Sequence, residues 1–92
     1  MEVAYTVEIV DAFRIGIDPI PDWFMDKVTS CDAMLYGDAF GHTSAEINVR
    51  DRTNKDYAEY GHYICRSRWD GRIWELKPEH FAKYYNKIYI EE

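Results

Sequence analysis

From Gly61 to Phe81 the chain reads Gly-His-Tyr-Ile-Cys-Arg-Ser-Arg-Trp-Asp-Gly-Arg-Ile-Trp-Glu-Leu-Lys-Pro-Glu-His-Phe, with almost nothing between its regular elements. Two apolar-bearing runs flank Asp70-Gly71, a pair that favours a two-residue turn with both central residues at positive φ. That turn pairs Trp69 with Arg72, Ser67 with Trp74 and Cys65 with Leu76. Directly opposed residues share a face. One face then carries Tyr63, Cys65, Ser67, Trp69, Trp74 and Leu76 and is expected to turn inward. The other carries Ile64, Arg66, Arg68, Ile73 and Glu75, with Arg66 opposite Glu75, and is expected to face water. Pro78 and Glu79 then open a helix. Phe81, Tyr84, Tyr85 and Ile88 form its packing stripe, and Lys83 and Lys87 lie toward its C-terminal end.

The rest of the chain fits one α+β domain over residues 1–92. Val3 to Ile15 alternate as a half-buried strand. Asp11 breaks the apolar parity, which marks a bulge or a buried acid with a partner; a structural role is expected. Gly16 to Pro21 is a turn, and residues 21–30 are a short helix packing through Trp23, Phe24 and Val28. Met34, Leu35, Tyr36 and Phe40 suggest a short strand broken at Gly37 or Gly41. Ala45, Ile47 and Val49 alternate as a clearer one, followed by a turn at Thr53-Asn54-Lys55-Asp56. The expected architecture is an antiparallel sheet of four to five strands with two short helices.

Composition narrows the function classes. Seventeen acids against eleven bases give a net charge of −6. That balance weighs against a general nucleic-acid binder and suits docking on a basic partner. Eight Tyr, four Phe and three Trp supply buried area, and aromatics are also enriched at binding surfaces. Cys31 and Cys65 are read as reduced thiols in a cytoplasmic chain, since Met1-Glu2 leads straight into a strand pattern. No apolar run reaches the length of a membrane span. The oligomeric expectation is a monomer or a homodimer through open sheet edges.

Few residues cluster by chemistry. His42, His62 and His80 have no metal-ligand spacing, and Cys65 reads as a small packing residue. No cofactor, metal or catalytic residue is expected. The sharpest cluster is Arg50, Arg52, Arg66, Arg68 and Arg72. Arg50 and Arg52 are placed on one strand face, and Arg66 and Arg68 on another. If the strands are neighbours, the guanidiniums line a sheet surface able to hold a phosphate backbone or an acidic patch. A solvated face neutralised by Glu46, Asp51, Asp56 and Glu75 is the plainer reading. A charge-mimic role is weaker, because the acids are spread along the chain apart from Glu91-Glu92. The candidate binding residues are therefore these five arginines with Glu75 and His62.

Asp11-Ala12-Phe13, Pro21-Asp22-Trp23-Phe24, Gly61-His62-Tyr63-Ile64, Gly71-Arg72-Ile73-Trp74 and Lys77-Pro78-Glu79-His80-Phe81 occur in an order that resembles a small family found in bacteriophages and prophages. Its members carry Gly-Asp-Tyr-Ile, Gly-Glu-Ile-Tyr and Lys-Pro-Asp-x-Phe at the last three places. Here His62 and Arg72 replace two of the acids, so a site built on those acids is not carried over. The resemblance implies a phage accessory protein in the host cytoplasm, without a defined activity. The leading expectation is a non-enzymatic protein that binds a host bacterial protein, such as a defence or replication component, inhibition being one outcome. The alternative is a small-ligand or nucleic-acid binding module using the arginine-bearing sheet face.

Overall fold

The structure is a computed structural model, and it describes residues 10–84. The expected strand over Val3 to Ile9, and the stripe positions Tyr85 and Ile88 with Lys87, lie outside the described residues.

Among the described residues eight elements follow one another: β1 (Val10–Arg14), α1 (Asp22–Thr29), β2 (Met34–Gly37), β3 (Thr43–Ile47), β4 (Asp56–Ala58), β5 (Tyr63–Ser67), β6 (Ile73–Leu76) and α2 (Pro78–Tyr84). The class is α+β, as expected, but the strands divide into two antiparallel sheets of three, ordered β1-β5-β6 and β2-β3-β4. In the second sheet the chain leaves β3 at Asn48, which adopts a left-handed φ of 53°. It ends β3 at Ile47, two residues before Val49, where alternation alone extends the strand. The Asn48 Nδ2 then donates to the Ile73 carbonyl at 3.0 Å, so a side chain ties the second sheet to β6 there.

The core lies between the sheets and under α1. Phe13, Ile15, Phe24, Ala45, Ile47, Ala58, Ile64 and Ile73 are its buried members, together with Ala33. Ala45 and Ala58 oppose each other in register, so this sheet offers a low surface to the bulkier Phe and Ile side chains opposite. Helix α1 is too short to persist alone. It is held by Phe24, which is fully buried and 5.2 Å from the Phe13 ring, and by Trp23, edge-on to Phe13 at 5.5 Å. Its C-terminus closes with Asp32 N donating to Lys27 O and Cys31 N to Val28 O, at 2.9 and 3.0 Å. That paired closure needs a left-handed residue at position 31, and Cys31 takes it at φ 64°.

The β5–β6 hairpin corrects the expected register by two residues. Cys65 pairs with Trp74 and Tyr63 with Leu76. The loop holds Arg68 to Gly71: Ser67 N donates to Arg72 O at 2.9 Å and Gly71 N to Ser67 O at 3.0 Å. Gly71 has φ 74°, whereas Asp70 is not among the positive-φ residues, so the pair does not make the two-residue turn. Instead the Asp70 carboxylate accepts the Arg72 amide at 3.0 Å.

A shift of two keeps each residue on its expected face, yet the inward face is the opposite one. Phe13 pairs with Ile64, and Ile64 and Ile73 enter the core, with Arg66 and Glu75 beside them. Tyr63, Cys65, Trp74 and Leu76 turn away, and Phe81 of α2 stacks on Tyr63 at 3.8 Å. Cys65 and Ser67 are also buried, because β5 is the central strand of its sheet. Trp69, expected to turn inward, is 79% exposed.

Candidate functional site

Asp11 lies opposite Arg66 in an unbroken β1–β5 register, so it marks no bulge. Its carboxylate accepts from the Arg66 guanidinium at 2.6 Å and from Arg68 at 2.8 and 3.0 Å. The Arg68 hydrogen bonds, then those of Arg66, hold the Asp11 carboxyl below its ordinary range, against the opposing pull of burial. Arg66 also lies over the Trp23 ring at 4.9 Å, and its buried Nε has no hydrogen-bond partner among the described residues.

The expected arginine-lined sheet surface is therefore not formed. Arg66 is half-buried against Trp23 of α1 rather than fully in water, and it faces Ile73 in register instead of Glu75. Arg50 and Arg52 lie in the turn after β3 and on no strand. Arg72 is placed over Trp74 at 5.5 Å, on the outer face of β6. An open groove of about 850 Å³ lies beside it, lined by Asn48, Asp51, Asn54, Lys55, Arg72 and Trp74 among others. Much of that lining is satisfied within the loop: Asp51 accepts from the Thr53 and Asn54 amides and from Asn54 Nδ2.

His62 and Glu75 are brought together instead. His62 Nδ1 is 2.6 Å from Glu75 Oε2, and its Nε2 is 3.7 Å from Glu59 Oε2. Both members of the shorter pair are largely shielded, which fixes the imidazole where β5 begins. The pair orients a ring but activates no thiol. Cys65 is fully buried, and burial, with a smaller push from the Glu75 charge, drives its pKa up to about 12. At neutral pH it is a protonated packing residue.

The feature that sequence reading missed is Phe40. Grouped by sequence with Met34, Leu35 and Tyr36 in a short broken strand, Phe40 instead is 85% exposed at the tip of the β2–β3 hairpin. The tip is braced from within. Asp38 Oδ1 accepts from the amides of Phe40 and His42 at 2.8 and 2.9 Å. Asp38 N donates to His42 O and Gly41 N to Asp38 O, each at 3.1 Å, with Gly41 at φ 78°. These bonds also hold the Asp38 carboxyl below its ordinary range, the His42 amide contributing most, so it stays ionised. Behind the tip, His42 stacks on Tyr60 at 4.3 Å, and the Tyr60 ring covers Gly16. The available sequence signal was Asp38 followed two and four residues on by Phe40 and His42, bounded by Gly37 and Gly41. Such a run makes a side-chain-capped turn that leaves its middle residue outward.

Among the described residues, no group of His, Cys, Asp and Glu is arranged to hold a metal ion, and no helix is long and apolar enough to cross a membrane. None of the protein-family models, curated proteins or solved structures with which the chain was compared matches it.

Proposed function

We propose that this chain is a protein-binding module. In the setting its sequence resembles, it is a bacteriophage accessory protein acting in the host cytoplasm on a host bacterial protein such as a defence or replication component. The observation that carries the proposal is Phe40, a large apolar side chain held in water on a hairpin whose backbone is hydrogen-bonded into one shape. Exposing a phenylalanine brings no gain in folding, whereas a preset aromatic anchor lowers the ordering cost of association.

The nucleic-acid alternative has less support, because Asp11 takes up Arg66 and Arg68. Its test is a mobility shift at low salt with wild type and Arg68→Glu. A shift that the variant abolishes would revive it.

The test of the main proposal is affinity capture from bacterial lysate with the full chain. A stoichiometric partner retained by wild type and lost by Phe40→Ala is expected. Failure of wild type to retain any stoichiometric partner would remove the proposal.

A further inference from the structure

Phe40 is one end of a continuous exposed ridge. Its ring lies 6.4 Å from that of His42, and His42 stacks on Tyr60. Ile17 follows Gly16, packs beside Gly61 and is 48% exposed, while Tyr60 is 43% exposed. The ridge thus draws on three separate segments: the β1–α1 turn, the β2–β3 tip and the β4–β5 loop. Grouped exposure of this kind differs from scattered apolar residues, which need no account.

Among the described residues, the charges beside the ridge have one dominant sign. Asp38 forms the base of the tip, with a side chain 50% exposed, and Glu59 precedes Tyr60, with a side chain 70% exposed. Asp18 follows Ile17 and is also exposed. Arg14, on the strand beneath, is half-buried: its Nε donates to the Gly61 carbonyl at 3.0 Å, and its guanidinium lies over Tyr63. His42 is spanned by Asp38 at 3.6 Å. An apolar ridge rimmed by carboxylates is complementary to an apolar pocket rimmed by lysine and arginine.

Resting on the protein-binding reading above, we infer that this ridge docks a basic segment of a partner protein. Phe40 enters an apolar pocket between cationic side chains, and Asp38 and Glu59 face those cations. Acidic and neutral occupants are outcomes of the test.

The test uses the full chain and three sets of immobilised leucine-bearing peptides, whose other residues are lysine and arginine, glutamate, or serine. Binding to the basic set alone is expected, weakening as salt rises. Phe40→Ala and Glu59→Lys should each weaken it at least about tenfold. Trp69→Ala, at the far hairpin, should leave it within about twofold. So should Asp26→Lys, which makes the same charge change as Glu59→Lys at an exposed position of α1. Thermal unfolding of each variant verifies that it is folded. Equal binding to the serine or glutamate set overturns the inference, as does basic-set binding that survives both Phe40→Ala and Glu59→Lys. Absence of binding to the basic set overturns it too. A lysate partner retained in the absence of basic-peptide binding leaves the protein-binding reading standing while this inference falls.

Discussion

The two long hairpins end in tips built by similar means and fitted for different encounters. Each carries a left-handed glycine, Gly41 at φ 78° and Gly71 at φ 74°. Each uses an aspartate to bind amides two residues or more ahead, Asp38 in one and Asp70 in the other. Each leaves one large ring in water, Phe40 at 85% and Trp69 at 79%. They differ in what stands around the ring. Phe40 has carboxylates beside it and a stacked His42–Tyr60 pair behind it, braced on Gly16. Trp69 is flanked by Arg68, whose guanidinium binds Asp11, and its own amide donates to Ser67 Oγ within the hairpin. The same local turn chemistry can thus present an aromatic side chain in different surroundings, and the surroundings rather than the turn set the partner.

The largest effect should come from breaking the brace behind one tip. A Cβ on Gly16 would sit 2.4 and 2.7 Å from Tyr60 ring atoms and 3.2 Å from the Thr43 carbonyl, at φ 81°. Strain of about 1–2 kcal/mol from the left-handed backbone adds to about 1–3 kcal/mol of overpacking. Gly16→Ala should therefore lose about 3 kcal/mol in urea unfolding and disturb the Phe40 tip through Tyr60. Gly37→Ala is the control, with open space at its Cβ and no positive φ, and should stay within about 0.5 kcal/mol.

Next in size is the ion cluster near the other tip. Asp11→Asn should cost about 1–3 kcal/mol at neutral pH, the usual worth of hydrogen bonds to charged groups. The folded-state carboxyl lies below the ordinary aspartate value of 3.8, so its stabilising contribution is present above that pH and is lost as pH falls through the folded value. Urea midpoints of wild type and variant should therefore converge below that value. A gap that persists unchanged at low pH would show that Asp11 acts through shape and not charge.

Smaller again are the tip glycines. Neither Gly41 nor Gly71 has an atom of the described residues within 4 Å of its missing Cβ, so each alanine variant should lose only the backbone cost of about 1–2 kcal/mol. The smallest effects belong to the rings themselves. Phe40→Ala and Trp69→Ala should each change folding stability by less than about 0.5 kcal/mol, since neither ring is buried.

Much of the framework was legible from sequence. Pro78 opens α2, Phe24 anchors α1, and β2 ends at Gly37, each for the local reasons read from the chain. Asp11 was legible as an acid in need of a partner, and it has two. The hairpin register was not, because Asp70-Gly71 carries the signal of a two-residue turn while the Asp70 carboxylate stabilises a four-residue loop. The inward face was not legible either, because both faces of β5 and β6 bear large apolar side chains. By side-chain size, two indoles outweigh two isoleucines. Pairing with Phe13 across β1 decided otherwise, and that is a non-local fact. The arginine surface failed with it, since Arg66 shares a face with Ile64. Phe40 stayed hidden because an apolar residue soon after Met34, Leu35 and Tyr36 reads as part of the same broken strand, and only the amide-binding geometry of Asp38 places it at an exposed tip.

The most direct measurement is the affinity of a partner recovered from lysate for wild type, Phe40→Ala and Trp69→Ala, compared by titration calorimetry. A loss of at least about 2 kcal/mol for Phe40→Ala, with Trp69→Ala near wild type, is the predicted result. Undiminished affinity in Phe40→Ala, with loss in Trp69→Ala, would contradict the account and move recognition to the opposite tip.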